Sequence, residues 1–264
     1  MWITRQISPN FRQEYTIDSK MLDARSSEHI LEIFKSNDFD QIAIIDECHI
    51  MLKKFLYIES ELYAHLPACS HPNPKNALVL GGFNLEIAFE LLRHQELQID
   101  FVQGDAKILD SLISFLPNFS SVSMNPRFKR YEKAIDLDVK KYDVIICLHR
   151  PNIHEIDGIS RMLSPDGILV FATKHPLLEF ADFEASILDA GRFFGIVMPF
   201  FAPLSILTDR GFVFASKKYH PLADMLLQKI DMLENLKYYN ADIHQSAFAL
   251  PNMLVSRLKG VLKN

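Results

Sequence analysis

Residues 66–82 read LPACSHPNPKNALVLGG: a proline-punctuated approach, a short apolar run, then two glycines. The run at 77–80 is apolar at every position, as a parallel strand covered by helices on both faces must be. Gly81 and Gly82 let the backbone turn at its end without a Cβ penalty. The amphipathic stretch 85–94 that follows predicts a helix whose first N–H groups face the mouth of a crevice. Such a junction suits a nucleotide-like ligand and, equally, an ordinary strand-to-helix corner. Phe83, Asn84 and Leu85 are not the glycines of a dinucleotide fingerprint.

Working outward, apolar runs at 99–102, 128–132, 143–148, 168–172, 195–199 and 212–216 predict further strands, with helices at 85–94, 106–116, 156–163 and 182–193 between them. Strand alternating with helix is the pattern of an α/β fold with a doubly wound parallel sheet. The last two strands have only a loop between them, which predicts an antiparallel strand at one edge. Upstream, short segments at 15–17, 30–34, 41–46 and 48–52, separated by turn formers such as Ser36-Asn37-Asp38, predict a small antiparallel sheet. A helix with one buried face is expected at 55–65, and His71-Pro72-Asn73-Pro74 reads as a linker. The expectation is an N-terminal β-strand domain with its connecting helix over residues 1–68 and a Rossmann-like domain over 69–264.

Composition narrows the function classes. With 48% hydrophobic and 23% charged residues, the 264-residue chain has the makings of one large core, or of one core and a small satellite. A net charge of −5 argues against a general nucleic-acid binder, which needs a basic footprint. No apolar run approaches the length of a membrane span, and Met1-Trp2-Ile3-Thr4-Arg5 lacks the layout of a secretory signal, so the expected location is the cytoplasm. Cys48, Cys69 and Cys147 are odd in number and outside metal-type spacing, which predicts free thiols and no metal site.

The run KYYNADIHQSAFALP at 237–251, together with SHPNPKNALVLGG at 70–82, resembles the aminopropyltransferase family, and spermidine synthases in particular. The resemblance extends over nearly the whole chain, including Met1-Trp2, Ser8-Pro9-Asn10 and the Ser164-Pro165-Asp166-Gly167 turn. It implies a Rossmann-like, methyltransferase-type sheet with a small N-terminal β domain. It also implies a homodimer and a reaction in which decarboxylated S-adenosylmethionine gives its aminopropyl group to putrescine, yielding spermidine and methylthioadenosine. No metal or further cofactor is implied. A non-catalytic relative on the same fold, or a small-molecule methyltransferase, are the alternatives.

The chain departs from the family where the chemistry should be. For the family's GGGDGG it has Gly81-Gly82-Phe83-Asn84-Leu85-Glu86, so only two glycines carry over. Asn84 brings no charge, and Glu86 either turns toward the cleft or is a solvated residue of the first helical turn. For VEID it has Val102-Gln103-Gly104-Asp105, where Gln103 can still bond a ribose and Asp105 either follows the family position or caps the next helix. Asp136 and Asp138 lie near the family's adenine-facing Asp without matching it. For DSSDP it has Leu148-His149-Arg150-Pro151, which leaves His149, Glu155 and Asp157 as candidates for the base. Glu61 matches the Glu of the family's YHE or YQE motif, Glu59 stands in place of its Tyr, and at most one of the two can face the cleft. Phe201 stands where a substrate-binding Tyr is expected, and is otherwise core packing with Phe193, Phe194 and Phe200.

Overall fold

The computed structural model describes residues 1–207 and 209–263. The N-terminal strands follow period-two chemistry. β1 (Trp2–Ser8) and β2 (Phe11–Thr16) form a hairpin, and β3 (Ser19–Arg25), β4 (Ile30–Ser36), β5 (Asp40–Ile45) and β6 (His49–Leu52) form an antiparallel meander. Alternate residues take opposite faces. Leu31, Ile33, Ala43, Ile45 and Met51 join the main core. Phe34, Ile42, Ile44, Ile50 and Leu52 instead gather Tyr15 and Ile17 into a small core of their own. β1 and β3 lie outside the expected segments because, Arg5 apart, each of their residues is exposed or half-buried and neither strand carries apolar alternation.

α1 (Leu56–Ser70) corrects the expected helix in two ways. It continues past Pro67 and ends where His71 N–H donates to the Pro67 carbonyl at 3.1 Å. It is also buried on nearly every face rather than one: 13 of its 15 residues are buried, which removes the amphipathic signal that would have marked its length.

The remaining elements are β7 (Asn76–Leu80), α2 (Glu86–Leu91), β8 (Gln98–Val102), α3 (Ala106–Ser111), α4 (Phe119–Ser123), β9 (Phe128–Tyr131), β10 (Tyr142–Cys147), α5 (Ile153–Met162), β11 (Leu163–Lys174), α6 (Phe180–Ala190), β12 (Ile196–Phe200) and β13 (Arg210–Ser216). Three short helices, α7 (Leu227–Asp231), α8 (Ala241–Ala247) and α9 (Asn252–Arg257), complete the chain. The seven strands run in the order β12-β13-β11-β10-β7-β8-β9. Pairings among β7 to β11 are parallel, and β13 is antiparallel to both β11 and β12. The antiparallel strand therefore sits one place in from the edge, and β12 is the edge strand. This is the Rossmann-like, methyltransferase-type arrangement.

Strand order reverses at β7, with β8 and β9 to one side and β10 and β11 to the other, so a crevice opens at the carboxyl ends of β7 and β10. Gly81 and Gly82 lie there, both at φ +70°. A Cβ on Gly82 would come within 2.7 Å of Leu148 Cδ1, and one on Gly81 within 3.0 Å of His149 Nδ1. The loops after β7 and β10 are pressed together at a distance only glycine permits.

Behind the crevice, α1 meets α2 through a buried histidine pair. His65 shares hydrogen bonds with Glu90 Oε2 (3.2 Å) and with His94 Nε2 (3.0 Å). A carboxylate only accepts, so His65 Nε2 carries the proton and His94 donates to its Nδ1. Tyr239 O–H donates to His244 Nδ1 (2.6 Å), whose Nε2–H donates to the Pro221 carbonyl (2.9 Å). Burial holds His65 down at about 3 and His244 at about 4, and pushes His94 well below its ordinary value.

Two outcomes are expected. Gly82→Ala combines left-handed strain with overpacking against Leu148 and should cost about 2–4 kcal/mol in chemical denaturation. The buried histidines stay neutral in the fold while the unfolded chain takes up protons below about pH 6.5. Their contribution is therefore complete above that pH and is lost as pH falls toward the folded values, by about 1.4 kcal/mol per pH unit for each. Urea midpoints at pH 7, 6 and 5 should drop in step; equal midpoints would reject this account.

Candidate functional site

The crevice is closed into a cleft by the N-terminal unit. Its walls include Gly82, Phe83 and Asn84 after β7, Leu148 after β10 and Ala172 to Lys174 at the end of β11. Opposite stand Arg5 of β1, His49 of β6 and Glu59 of α1, and the cavity measures about 270 Å³.

Charge in the cleft is paired across the two units. Arg5 donates Nη1 and Nη2 to the two oxygens of Asp209 (2.9 and 2.7 Å) and Nε to the Cys48 carbonyl (2.8 Å). Arg210 donates Nη1 to Glu59 Oε2 (2.8 Å) and Nη2 to the Ile50 carbonyl (3.1 Å). Burial alone would raise the Asp209 carboxyl, but the bonds and charge of Arg5 outweigh it and hold the group below the usual carboxylate range. Burial, with Arg210 and Arg5 beside it, brings His49 down to about 3, so it is neutral at physiological pH. Burial, then the charge of Glu59, pushes the Tyr63 hydroxyl well up, so it stays protonated.

The residues expected for the sulfonium nucleoside are gathered around the glycine turn. Gln103 is buried and donates from Nε2 to the Gly82 carbonyl, while its Oε1 accepts from Asp105 N–H at 2.9 Å. Asp105 caps α3, its Oδ1 accepting from Ile108 N–H at 3.0 Å, and its Oδ2 accepts from Ser26 O–H of the N-terminal unit. Asn84 ties the turn to α1, donating to Ser60 Oγ (3.0 Å) and accepting from Glu86 N–H (3.2 Å). Gly82 and Asn84 line the cleft; Gly81 and Gln103 lie behind that wall. Glu86 is neither solvated nor in the cleft. It is buried, and its carboxylate accepts from the backbone (2.9 Å) and side chain (2.7 Å) of Asn118.

Of the two glutamates on α1, Glu59 faces the cleft and Glu61 does not. Glu61 is 2% exposed and accepts from the backbone N–H groups of Lys237 (2.9 Å), Tyr238 (2.8 Å) and Tyr239 (2.7 Å). It is a clamp on the C-terminal segment, with both of its oxygens engaged by backbone donors. Asp157 is also displaced: it pairs with Arg161 one turn along α5, on an outward face set by helical period. His149 and Glu155 meet at the exposed rim, His149 Nε2 lying 3.3 Å from Glu155 Oε1, while Glu155 Oε2 accepts from Asn152 N–H (2.8 Å) in the capping box of α5. Cys147 lies beneath His149, and burial raises its thiol to about 12, which leaves it inert. Phe201 stacks on Phe183 at 6.1 Å and donates its N–H to the Ala247 carbonyl (2.9 Å), so it belongs to the packing under α6. Asp136 and Asp138 are exposed, and Asp138 pairs with Lys129 at 3.3 Å. Arg150 lines the cleft, and its guanidinium is anchored on α6, donating to Ser186 Oγ (3.0 Å) and Asp182 Oδ1 (2.7 Å).

Sequence reading missed Arg5, His49, Asp209 and Arg210. Asp209-Arg210 stands immediately before an apolar strand, yet its partners are Arg5 and Glu59, more than 150 positions away in each case, and no local pattern announces such pairs.

Among the described residues no helix is long and apolar enough to cross a membrane. Residues 1–54 match the family model of the spermidine synthase tetramerisation domain, and residues 56–226 that of the spermine/spermidine synthase domain. The chain is 50% identical to the polyamine aminopropyltransferase of Helicobacter acinonychis over the full length of both. It is 28% identical to that of Methanocaldococcus jannaschii over 100% of this chain and 97% of that one. In fold it is similar to the spermidine synthase of Thermotoga maritima, with a TM-score of 0.90 at 22% identity over 98% of this chain and 94% of that one. A spermidine synthase in complex with the transition state analogue AdoDATO matches at the same TM-score and identity. With a family model covering residues 56–226 and half of all positions identical across a full-length relative, the chain belongs to the spermine/spermidine synthase family, a family of transferases.

Proposed function

We propose that the protein is a polyamine aminopropyltransferase that moves the aminopropyl group of decarboxylated S-adenosylmethionine to putrescine, giving spermidine and methylthioadenosine. The observation that carries this reading is full-length kinship to polyamine aminopropyltransferases combined with a cleft at the sheet's switch point. The amine nitrogen attacks the methylene next to the sulfonium, the carbon–sulfur bond breaks, and its electron pair returns to sulfur, so the leaving group departs neutral. The acceptor's ammonium proton passes to a base or to water. The sulfonium brings its own leaving group, so this chemistry calls for no metal or further cofactor.

The amine side asks more of the protein: a charge to hold the diamine and a geometry about 3 Å from the reacting carbon. Glu59 is suited to this. It lines the cleft, and among the described residues only its Oε2 is engaged, by Arg210, which leaves Oε1 for the amine. The nucleoside would lie over Gly82 and Asn84, with Gln103 and Asp105 shaping the turn behind them. His149 and Glu155 at the rim are the second candidate for proton removal.

We further propose assembly through the N-terminal unit, whose small core of seven buried residues is too slight to be independent and whose sequence matches a tetramerisation-domain model. A homodimer is the smallest such assembly, and light scattering distinguishes it from a tetramer. A cytoplasmic location is supported by three free thiols, Cys48, Cys69 and Cys147.

Purified protein mixed with decarboxylated S-adenosylmethionine and putrescine should yield spermidine and methylthioadenosine by mass spectrometry. Absence of both, with methylthioadenosine still bound, would favour a non-catalytic relative. Glu59→Gln is expected to lower kcat/KM for putrescine by ~10²-fold. Glu61→Gln should instead lower stability by about 2–4 kcal/mol through the three backbone donors it serves. If the two variants exchange these phenotypes, the assignment of the glutamates is reversed.

A further inference from the structure

We propose that Arg5, on the N-terminal hairpin, is a positioning residue of the acceptor subsite: through Asp209 and Arg210 it fixes where Glu59 presents its free oxygen, and so governs affinity for the diamine. The inference rests on the aminopropyltransferase reading above and extends it to a residue outside the Rossmann-like unit.

Arg5 is the one buried residue of β1, 4% exposed in a strand otherwise open or half-open to water. A two-stranded ribbon has no need of a buried guanidinium, and burying one is costly unless every donor finds a partner. All three nitrogens do: Nη1 has a long bond to Gln13 Oε1 within the hairpin (3.4 Å), and the shorter bonds go beyond it, to the Cys48 carbonyl and both oxygens of Asp209. Asp209 is itself buried, its side chain 8% exposed. Its chain neighbour Arg210 reaches the other way, to Glu59 Oε2 and the Ile50 carbonyl. Charges thus alternate across the cleft wall, Arg5, Asp209, Arg210, Glu59, with each carboxylate held by a cation.

That order explains how Arg5 acts at a distance. Asp209 and Arg210 already attract one another. Without Arg5, Asp209 is a buried carboxylate with no bidentate partner, and Arg210 is the cation next to it in the chain. Arg210 then turns from Glu59 to Asp209, and Glu59 loses the bond that orients it. The sulfonium subsite at Gly82 and Asn84 is tied to Ser60 on the same helix as Glu59, but the contacts that fix it run to Ser60 and Leu148 rather than to Arg5, Asp209 or Arg210, so it stays as it was.

The test is steady-state kinetics of Arg5→Met, Arg5→Lys and Asp209→Asn, each with its melting temperature, in the full-length protein. Arg5→Met should raise KM for putrescine about tenfold while KM for decarboxylated S-adenosylmethionine changes less than about twofold. Asp209→Asn, which removes the carboxylate that draws Arg210 away, should leave both KM values within about twofold of wild type and should restore the putrescine KM when combined with Arg5→Met. Arg5→Lys, which keeps the charge without the fork, should fall between Arg5→Met and wild type. Combined with Glu59→Gln, Arg5→Met should add nothing further to the putrescine KM, because Glu59 is the group through which it acts. An unchanged or lower putrescine KM in Arg5→Met, equal changes in both its KM values, no rescue by Asp209→Asn, or additivity with Glu59→Gln overturns the proposal. If Arg5→Met does not fold, Arg5→Lys, which nearly preserves volume, decides the question by the same two KM values, with its combination with Asp209→Asn as the rescue. A wild-type protein without turnover would overturn the aminopropyltransferase reading, and this inference with it; active wild type with indifferent Arg5 variants overturns this inference alone.

Discussion

A helix buried on nearly every face can carry polar side chains only if each finds a partner, and α1 is such a helix. Its polar groups are distributed over the whole molecule. Ser60 accepts from Asn84 and so holds the glycine turn, Glu61 gathers the backbone of Lys237 to Tyr239, His65 binds Glu90 and His94 beside α2, and Glu59 meets Arg210 at the start of β13. Each bond satisfies a group that burial would otherwise penalise, and each fastens a different segment. The cleft is thereby built around one helix, and the C-terminal part of the chain is held to the same helix by the Glu61 carboxylate and by the Ala68 and Cys69 carbonyls, which accept from Lys229 and from the Leu226 N–H.

The ion pairs in the cleft are better understood as geometry than as stability. Removing two opposite charges from water costs about as much as their attraction returns, so a buried pair contributes little net free energy. What Arg5–Asp209 and Arg210–Glu59 do contribute is position: each guanidinium also binds a backbone carbonyl of the N-terminal unit, Cys48 or Ile50. The two units are therefore registered against each other at the place where a diamine would lie. An acidic pocket would attract diamines more strongly, but its carboxylates would repel one another; alternating charges hold Glu59 in place without that repulsion.

The fold was legible where local chemistry reports it. Parallel strands buried on both faces read as continuous apolar runs, and 77–80, 99–102 and 143–148 fall within a residue or two of β7, β8 and β10. The glycine turn was legible because φ +70° and contact with Leu148 admit little else. β1 and β3 were not, since strands facing water carry no alternation, and α1 was not in full, since a helix buried all round has no apolar stripe. The site was legible in part. The N-cap role of Asp105 follows from one residue and the helix after it, and it holds. Glu61 and Asp157 show the limit: residue type and spacing mark a carboxylate as available, but only the fold shows that its oxygens are already committed. Asp209 was out of reach altogether, because its meaning depends on a residue 204 positions earlier.

Proton chemistry in the cleft follows from the same burial. A base works best when its pKa lies near the working pH. His49 is held near 3 and Tyr63 well above its ordinary value, so neither matches, and Asp209 is held down by Arg5. Glu59 can orient an ammonium and stabilise charge as the nitrogen loses its proton, while an alkyl ammonium group itself titrates at about 10, so only a small fraction of the amine is neutral. The arrangement is suited to a reaction whose electrophile is already activated. With a sulfonium supplying the leaving group, the protein needs chiefly to hold a small neutral fraction of the amine in line with the carbon, and a cleft of paired, immobile charges does that without a tuned base.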